Sequence, residues 1–232
     1  MKYLIADDDP VSRLALSYLI ADLPNSTVVQ VEDGQLAWQV LEAMNEPVIC
    51  LLDNRMPGLS GVDVLKKMRL SARYIGWPVM LITSTADRSL VSDAVQFGIS
   101  GFVLKPVAEE SLSRITEVAN RFEASILAPF SETAARLEIS QEQYQKYIQA
   151  LLKQLEVLAV ALQNVTVETL SSIKQRAETC HSAALTLGSK HLDLIFEKLI
   201  PSLDSAESLI SYASFSDAIS LARNRIEHAT SS

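Results

Sequence analysis

At 232 residues the chain is long enough for two domains of ordinary size, and 48% apolar with 21% charged residues is the composition of an ordered globular protein rather than a disordered one. The net charge of −8, divided as 11 basic against 16 acidic residues through residue 124 and 9 against 12 after it, gives neither half the cationic surplus that nucleic-acid binding needs. No apolar run approaches the roughly 20 residues of a membrane span, the N-terminus is too short and acidic for a signal peptide, and Cys50 and Cys180 are too few for a disulfide framework, so a cytoplasmic protein is expected.

Five short apolar runs, residues 3–6, 27–31, 47–52, 78–83 and 101–104, alternate with helix-length segments. Strands apolar on both faces and separated by helices predict a five-stranded parallel sheet covered on each side, an α/β doubly wound unit over residues 1–124 that closes with a helix at about 108–124. Residues 125–138, with Pro129 and mixed polarity, read as a linker with some helical character.

From residue 139 to 232 the pattern is all helix. Tyr144, Ile148, Leu151, Leu155, Leu158 and Leu162 recur every three or four residues, and Leu170, Ile173, Ala177, Cys180, Ala184 and Leu187 do the same up to Gly188. A third segment at about 191–200 is expected to break at Pro201 and resume near Ala206, and a fourth spans about 216–228. Four such segments suit an antiparallel four-helix bundle.

In an open parallel sheet, ligands sit at the carboxyl ends of the strands. Asp7, Asp8 and Asp9 follow the first strand, Asp53 the third, Thr83 ends the fourth and Lys105 follows the fifth. Carboxylates converging there repel one another unless a cation joins them, and hard oxygen ligands suit Mg²⁺. A metal and a lysine ammonium would also let one carboxylate attack a phosphoryl group by stabilising charge on the transferring oxygens.

The segments Ala6-Asp7-Asp8-Asp9-Pro10, Leu52-Asp53-Asn54-Arg55-Met56-Pro57-Gly58, Thr83-Ser84 and Gly101-Phe102-Val103-Leu104-Lys105-Pro106 resemble, in order and spacing, the successive motifs of the response-regulator receiver family, whose fold is flavodoxin-like. The resemblance implies Asp53 as phosphoacceptor, with Thr83 and Lys105 completing the reactive set. It implies Asp7, Asp8, Asp53 and the Arg55 backbone carbonyl as the Mg²⁺ site, with Asp8 the more direct ligand of the acidic pair. Thr83 and Phe102 take the switch positions, and Arg55 and Thr85 the variable positions that tune the lifetime of the phosphoryl group. A cis bond before Pro106 and a readout face of residues 88–97, 101–104 and 108–124 are implied as well.

Residues 139–227 resemble a histidine phosphotransfer domain. Aligned on Leu187-Gly188, Ala177 and Cys180 fall on the motif's alanine and leucine, but Glu178 stands where the phosphorylated histidine should be, with His181 at the lysine and Ser182 at the glycine. Helical spacing puts Glu178, His181, Ser182 and Leu185 on one face. The expectation is a pseudo-phosphotransfer domain that keeps a docking surface without the nucleophile. His191 and His228 read as ordinary surface or packing residues.

The resemblances together imply a signalling protein, not itself an enzyme beyond its own phosphorylation and dephosphorylation. A sensor histidine kinase would phosphorylate Asp53, and the helical domain would bind a partner: a kinase, another receiver or a second copy of this chain. The alternatives are a phosphorelay through His181 and a phosphatase acting on a partner receiver. No nucleic acid and no membrane partner is expected.

Overall fold

The computed structural model describes residues 1–84, 88–204 and 210–231. Five strands, β1 (Lys2–Ala6), β2 (Thr27–Val31), β3 (Ile49–Asp53), β4 (Val79–Thr83) and β5 (Gly101–Leu104), pair in parallel in the order β2-β1-β3-β4-β5. In register Ala6 faces Leu52, Asp53 faces Ile82 and Thr83 faces Leu104, so the strand ends that carry polar residues lie side by side.

Between the strands run α1 (Pro10–Ala21), α2 (Gly34–Ala43), α3 (Gly61–Arg69) and α4 (Arg88–Gln96), and α5 (Glu109–Ile126) follows β5. Side chains alternate across each strand. Tyr3, Ile5, Ile49, Leu51, Met80, Ile82 and Val103 form one core cluster with Leu16 and Ile20 of α1 and Ile115, Val118 and Ala119 of α5. Leu4, Cys50, Leu52 and Leu81 are equally buried on the other face, where α2 touches β1 and α3 touches β4. This is the doubly wound, flavodoxin-like arrangement that continuous apolar runs require.

Local chemistry sets the helix starts. Asp9 caps α1 by accepting from the amides of Val11 and Ser12, with Pro10 at the first helical position. Ser60 and Asp63 form a reciprocal capping box at α3. Gly61 has to be glycine for a close approach, since a Cβ there would lie 2.6 Å from the Asp53 carbonyl oxygen. Arg69 closes the far end of α3 on its neighbour, donating to the carbonyls of Phe97 at 3.0 Å and Gly98 at 3.1 Å just past α4.

The chain divides into two compact units, one of Met1–Leu70 with Trp77–Phe122, the other of Ser71–Gly76 with Glu123–Ser232. The second contains α6 (Phe130–Leu137), α7 (Gln141–Gln163), α8 (Leu170–Thr186), α9 (Lys190–Ser202) and α10 (Ile210–Ser231). Contacts close the ring α7-α8-α9-α10-α7, a four-helix arrangement whose core holds both apolar stripes read from the sequence: Tyr144, Ile148, Leu151, Leu155, Leu158 and Leu162 on α7, and Ile173, Ala177, Cys180, Ala184 and Leu187 on α8 and its cap. Ser140 and Gln143 make a capping box at α7.

The third segment, read as ending at Pro201, closes one residue beyond it at Ser202; the expected resumption near Ala206 lies outside the described residues. One feature differs from the sequence reading. The segment Ser71–Gly76, in sequence the connection from α3 to β4, is built into the helical unit. Its 3-10 turn (Ala72–Tyr74) packs on α10, Arg73 pairs with Asp217 at 3.2 Å, Tyr74 is buried, and a Cβ on Gly76 would lie 2.7 Å from His191 Nδ1. His191 is buried and His228 exposed. Among the described residues no helix is long and apolar enough to cross a membrane.

Candidate functional site

The strand ends of the first unit bring together Asp7, Asp53, Thr83 and Lys105, as their register requires. Asp7, Asp53 and Thr83 are buried, while Asp8 is exposed. Carboxylate oxygens of Asp7, Asp8 and Asp53 all lie within 4.8 Å of one another. Such a cluster of hard anionic oxygens, open to solvent on the Asp8 side, fits a divalent cation that keeps some of its waters.

Lys105 supplies the positive charge of this cluster. Its Nζ donates to Asp53 Oδ2 at 2.6 Å and to Asp7 Oδ1 at 3.1 Å, and stands 2.9 Å from Asp7 Oδ2. Partial burial alone would lower its pKa, but hydrogen bonds and Coulombic attraction to Asp53 and Asp7 outweigh burial and raise it. The lysine is therefore charged at every physiological pH. It is carried at the end of β5 by a cis Lys105-Pro106 bond, and its amide donates to the Thr83 carbonyl at 2.9 Å.

The Arg55 amide donates to Asp53 Oδ1 at 3.1 Å while the Arg55 side chain is exposed, which leaves its backbone as the part that belongs to the site. Phe102 is half-buried on β5, in register with Leu81. Thr85 lies outside the described residues.

Sequence reasoning missed the groups that hold Asp7. The Ser12 hydroxyl donates to Asp7 Oδ2 at 2.7 Å, the Asp9 amide to Oδ1 at 3.0 Å, and Arg13 Nη1 to the Asp7 carbonyl at 2.5 Å. The available signal was the Asp9-Pro10 helix start, which turns the third helical residue, Ser12, back toward the preceding loop. A cleft of about 420 Å³ opens here, lined by Asp9, Val11, Ser12, Ala15, Lys105 and Pro106 among others.

In the helical unit Glu178, Ser182 and Leu185 are exposed along α8, Leu185 by 48%. His181, expected with them as a surface residue, is turned toward α9. Its Nε2 is 2.7 Å from Asp193 Oδ1, and its ring centre is 5.5 Å from that of Phe196.

Residues 3–117 match the family described as the response regulator receiver domain. The chain is 33% identical over 124 residues to the chemotaxis protein CheY of Pseudomonas aeruginosa, covering 99% of that protein and 52% of this chain. It is 32% identical over 121 residues to chemotaxis protein CheY-3 of Vibrio cholerae, covering 92% of that protein and 50% of this one. Among solved structures, a CheY-like response regulator receiver domain protein from Methanospirillum hungatei superposes over 53% of this chain and 95% of its own, at 22% identity and a TM-score of 0.47.

Proposed function

Through residues 3–117 the chain belongs to the response regulator receiver family of two-component signalling, and from that premise we propose that Asp53 accepts a phosphoryl group from a sensor histidine kinase and that this switches the protein interactions of the helical unit. The observation that carries the proposal is the placement of Asp53 against the Lys105 ammonium and within 4.8 Å of the Asp7 and Asp8 carboxylates at the strand ends.

The reaction is a nucleophilic displacement in which an Asp53 carboxylate oxygen forms the new bond to phosphorus and the bond from phosphorus to the donor's imidazole nitrogen breaks. The bonding pair stays on that nitrogen, and with the other ring nitrogen carrying its proton the imidazole leaves neutral. Mg²⁺, held by Asp8, Asp53, Asp7 and the Arg55 carbonyl, would neutralise charge on the transferring oxygens. Lys105, charged and already 2.6 Å from Asp53 Oδ2, turns to the phosphoryl oxygens. Thr83, at the end of β4, supplies a hydroxyl to the same group, and Phe102 on β5 follows that movement. Phosphorylation adds about one negative charge and several acceptors, enough to draw Thr83 and Lys105 inward and bias the face of α4, β5 and α5.

The helical unit acts as a pseudo-phosphotransfer domain. Glu178 offers no imidazole, and the one histidine of that face, His181, has its Nε2 engaged by Asp193, which supports docking over relay. The exposed Leu185 with Glu178 and Ser182 forms the docking strip for a kinase, another receiver or a second copy of the chain. The acidic balance of both halves supports protein partners rather than nucleic acid.

The test is phosphotransfer from a radiolabelled phosphohistidine kinase. Label passing to the wild type and not to Asp53→Asn supports the proposal; label retained in Asp53→Asn, or appearing on His181, overturns it. Leu185→Arg is expected to abolish partner capture with thermal stability unchanged.

A further inference from the structure

The Asp7 carboxylate is fully buried and receives three separate donors: Lys105 Nζ, the Asp9 amide on Oδ1 and the Ser12 hydroxyl on Oδ2. These donors differ in permanence. In the receiver reaction, on which this inference rests, Lys105 turns to the phosphoryl group and releases Asp7. The Asp9 amide and the Ser12 hydroxyl remain, one on each oxygen.

Both come from the start of α1, Asp9 as its N-cap and Ser12 in its first turn, and that start is itself fixed. Asp9 Oδ1 accepts from the Val11 amide at 3.1 Å, and Oδ2 from the Ser12 amide at 3.2 Å. Ser12 is therefore held by its backbone, and its side chain in turn holds Asp7. From this geometry we infer that Ser12 is a positioning residue for the divalent cation, fixing the plane of the Asp7 carboxylate and keeping Oδ2 hydrogen-bonded after the lysine leaves.

Without the hydroxyl, the buried carboxylate keeps a single fixed donor, the Asp9 amide, and rotates about its Cβ–Cγ bond. Its oxygens are then no longer preset toward the point where the Asp7, Asp8 and Asp53 carboxylates converge within 4.8 Å. A hydrogen bond that orients a metal-site carboxylate is worth about 10-fold in metal affinity at the lower end of the usual range. The side chain acts through Asp7 and touches no reacting atom.

The experiment is a Mg²⁺ titration of the full chain followed by the amide resonances around Asp53, with wild type, Ser12→Thr, Ser12→Val and Asp8→Asn. Thr keeps the hydroxyl, and Val matches the shape of Thr without it. Ser12→Val is expected to bind Mg²⁺ about 10-fold more weakly, with Ser12→Thr close to wild type. The phosphorylation rate with an acyl phosphate should fall in Ser12→Val at low Mg²⁺ and recover at saturating Mg²⁺, a separation of binding from chemistry that a merely structural role does not produce. Equal Mg²⁺ affinity in Ser12→Val and Ser12→Thr, with Asp8→Asn impaired, overturns the inference and leaves the receiver reading standing. No saturable Mg²⁺ response in the wild type overturns the receiver reading of the site itself. Should Ser12→Val fail to fold, Ser12→Ala, smaller than the native side chain, takes its place against the same Thr control.

Discussion

Lys105 Nζ lies 2.6 Å from Asp53 Oδ2 and reaches Asp7 as well, so one ammonium at the end of β5 serves two buried carboxylates at the ends of β1 and β3. A divalent cation would compete for the same oxygens. Lys105→Met is expected to destabilise the first unit by about 1–2 kcal/mol without Mg²⁺, less than breaking a fully buried pair because the lysine is partly solvated. Mg²⁺ should then raise the melting temperature of Lys105→Met more than that of the wild type. Differential scanning calorimetry with and without Mg²⁺ checks this; an equal or smaller Mg²⁺ effect in the variant contradicts competition for shared oxygens.

His191 is buried on α9, and burial pushes its pKa down from 6.5 to about 4. The folded state holds it neutral while the unfolded chain protonates near 6.5, so its contribution is complete above pH 6.5 and is lost as the pH falls toward 4. That shift corresponds to about 3 kcal/mol. Urea denaturation followed on the helical signal, at several values from pH 7 to pH 4, should show a shallower loss of stability in His191→Gln than in the wild type. Parallel slopes would mean that His191 is not held neutral.

Tyr74 lies in the connection from α3 to β4 but is buried within the helical unit, against α10. Tyr74→Ala is expected to cost that unit about 3–4 kcal/mol, as for other large aromatic truncations. For the same reason a fragment of residues 125–232, which lacks the Ser71–Gly76 segment, should melt well below the helical unit of the full chain. Thermal unfolding by circular dichroism compares the two.

Both cysteines are buried thiols, Cys50 pushed up to about 12 and Cys180 to about 11, in each case first by desolvation. Reactivity follows the thiolate. Neither should react with a disulfide reagent at pH 8 in the native protein, and both should react after unfolding; a fast native reaction at Cys180 would show that α8 opens locally.

What the sequence made legible was local. Each strand of the sheet was placed to within two residues, because apolar runs between helix-length segments have few other readings, and the α7 and α8 stripes recur at helical spacing and are buried as that spacing requires, save Leu170 at the start of α8, which is half-buried. Asp7, Asp53, Thr83 and Lys105 were readable because in a parallel sheet the strand ends meet by topology alone. The pairing of residues distant in sequence was not readable. Nothing local in Ala72–Tyr74 signals that it packs on α10, and nothing near His181 signals Asp193 twelve positions on, across a turn between two helices.

The central claim is that Asp53 is the phosphoacceptor, and intact mass after incubation with acetyl phosphate and Mg²⁺ tests it most directly, comparing wild type, Asp53→Ala and His181→Ala. The account predicts one phosphoryl adduct in the wild type and in His181→Ala, and none in Asp53→Ala. An undiminished adduct in Asp53→Ala contradicts the assignment, and a second wild-type adduct lost in His181→Ala contradicts the reading of the helical unit as a domain without a nucleophile.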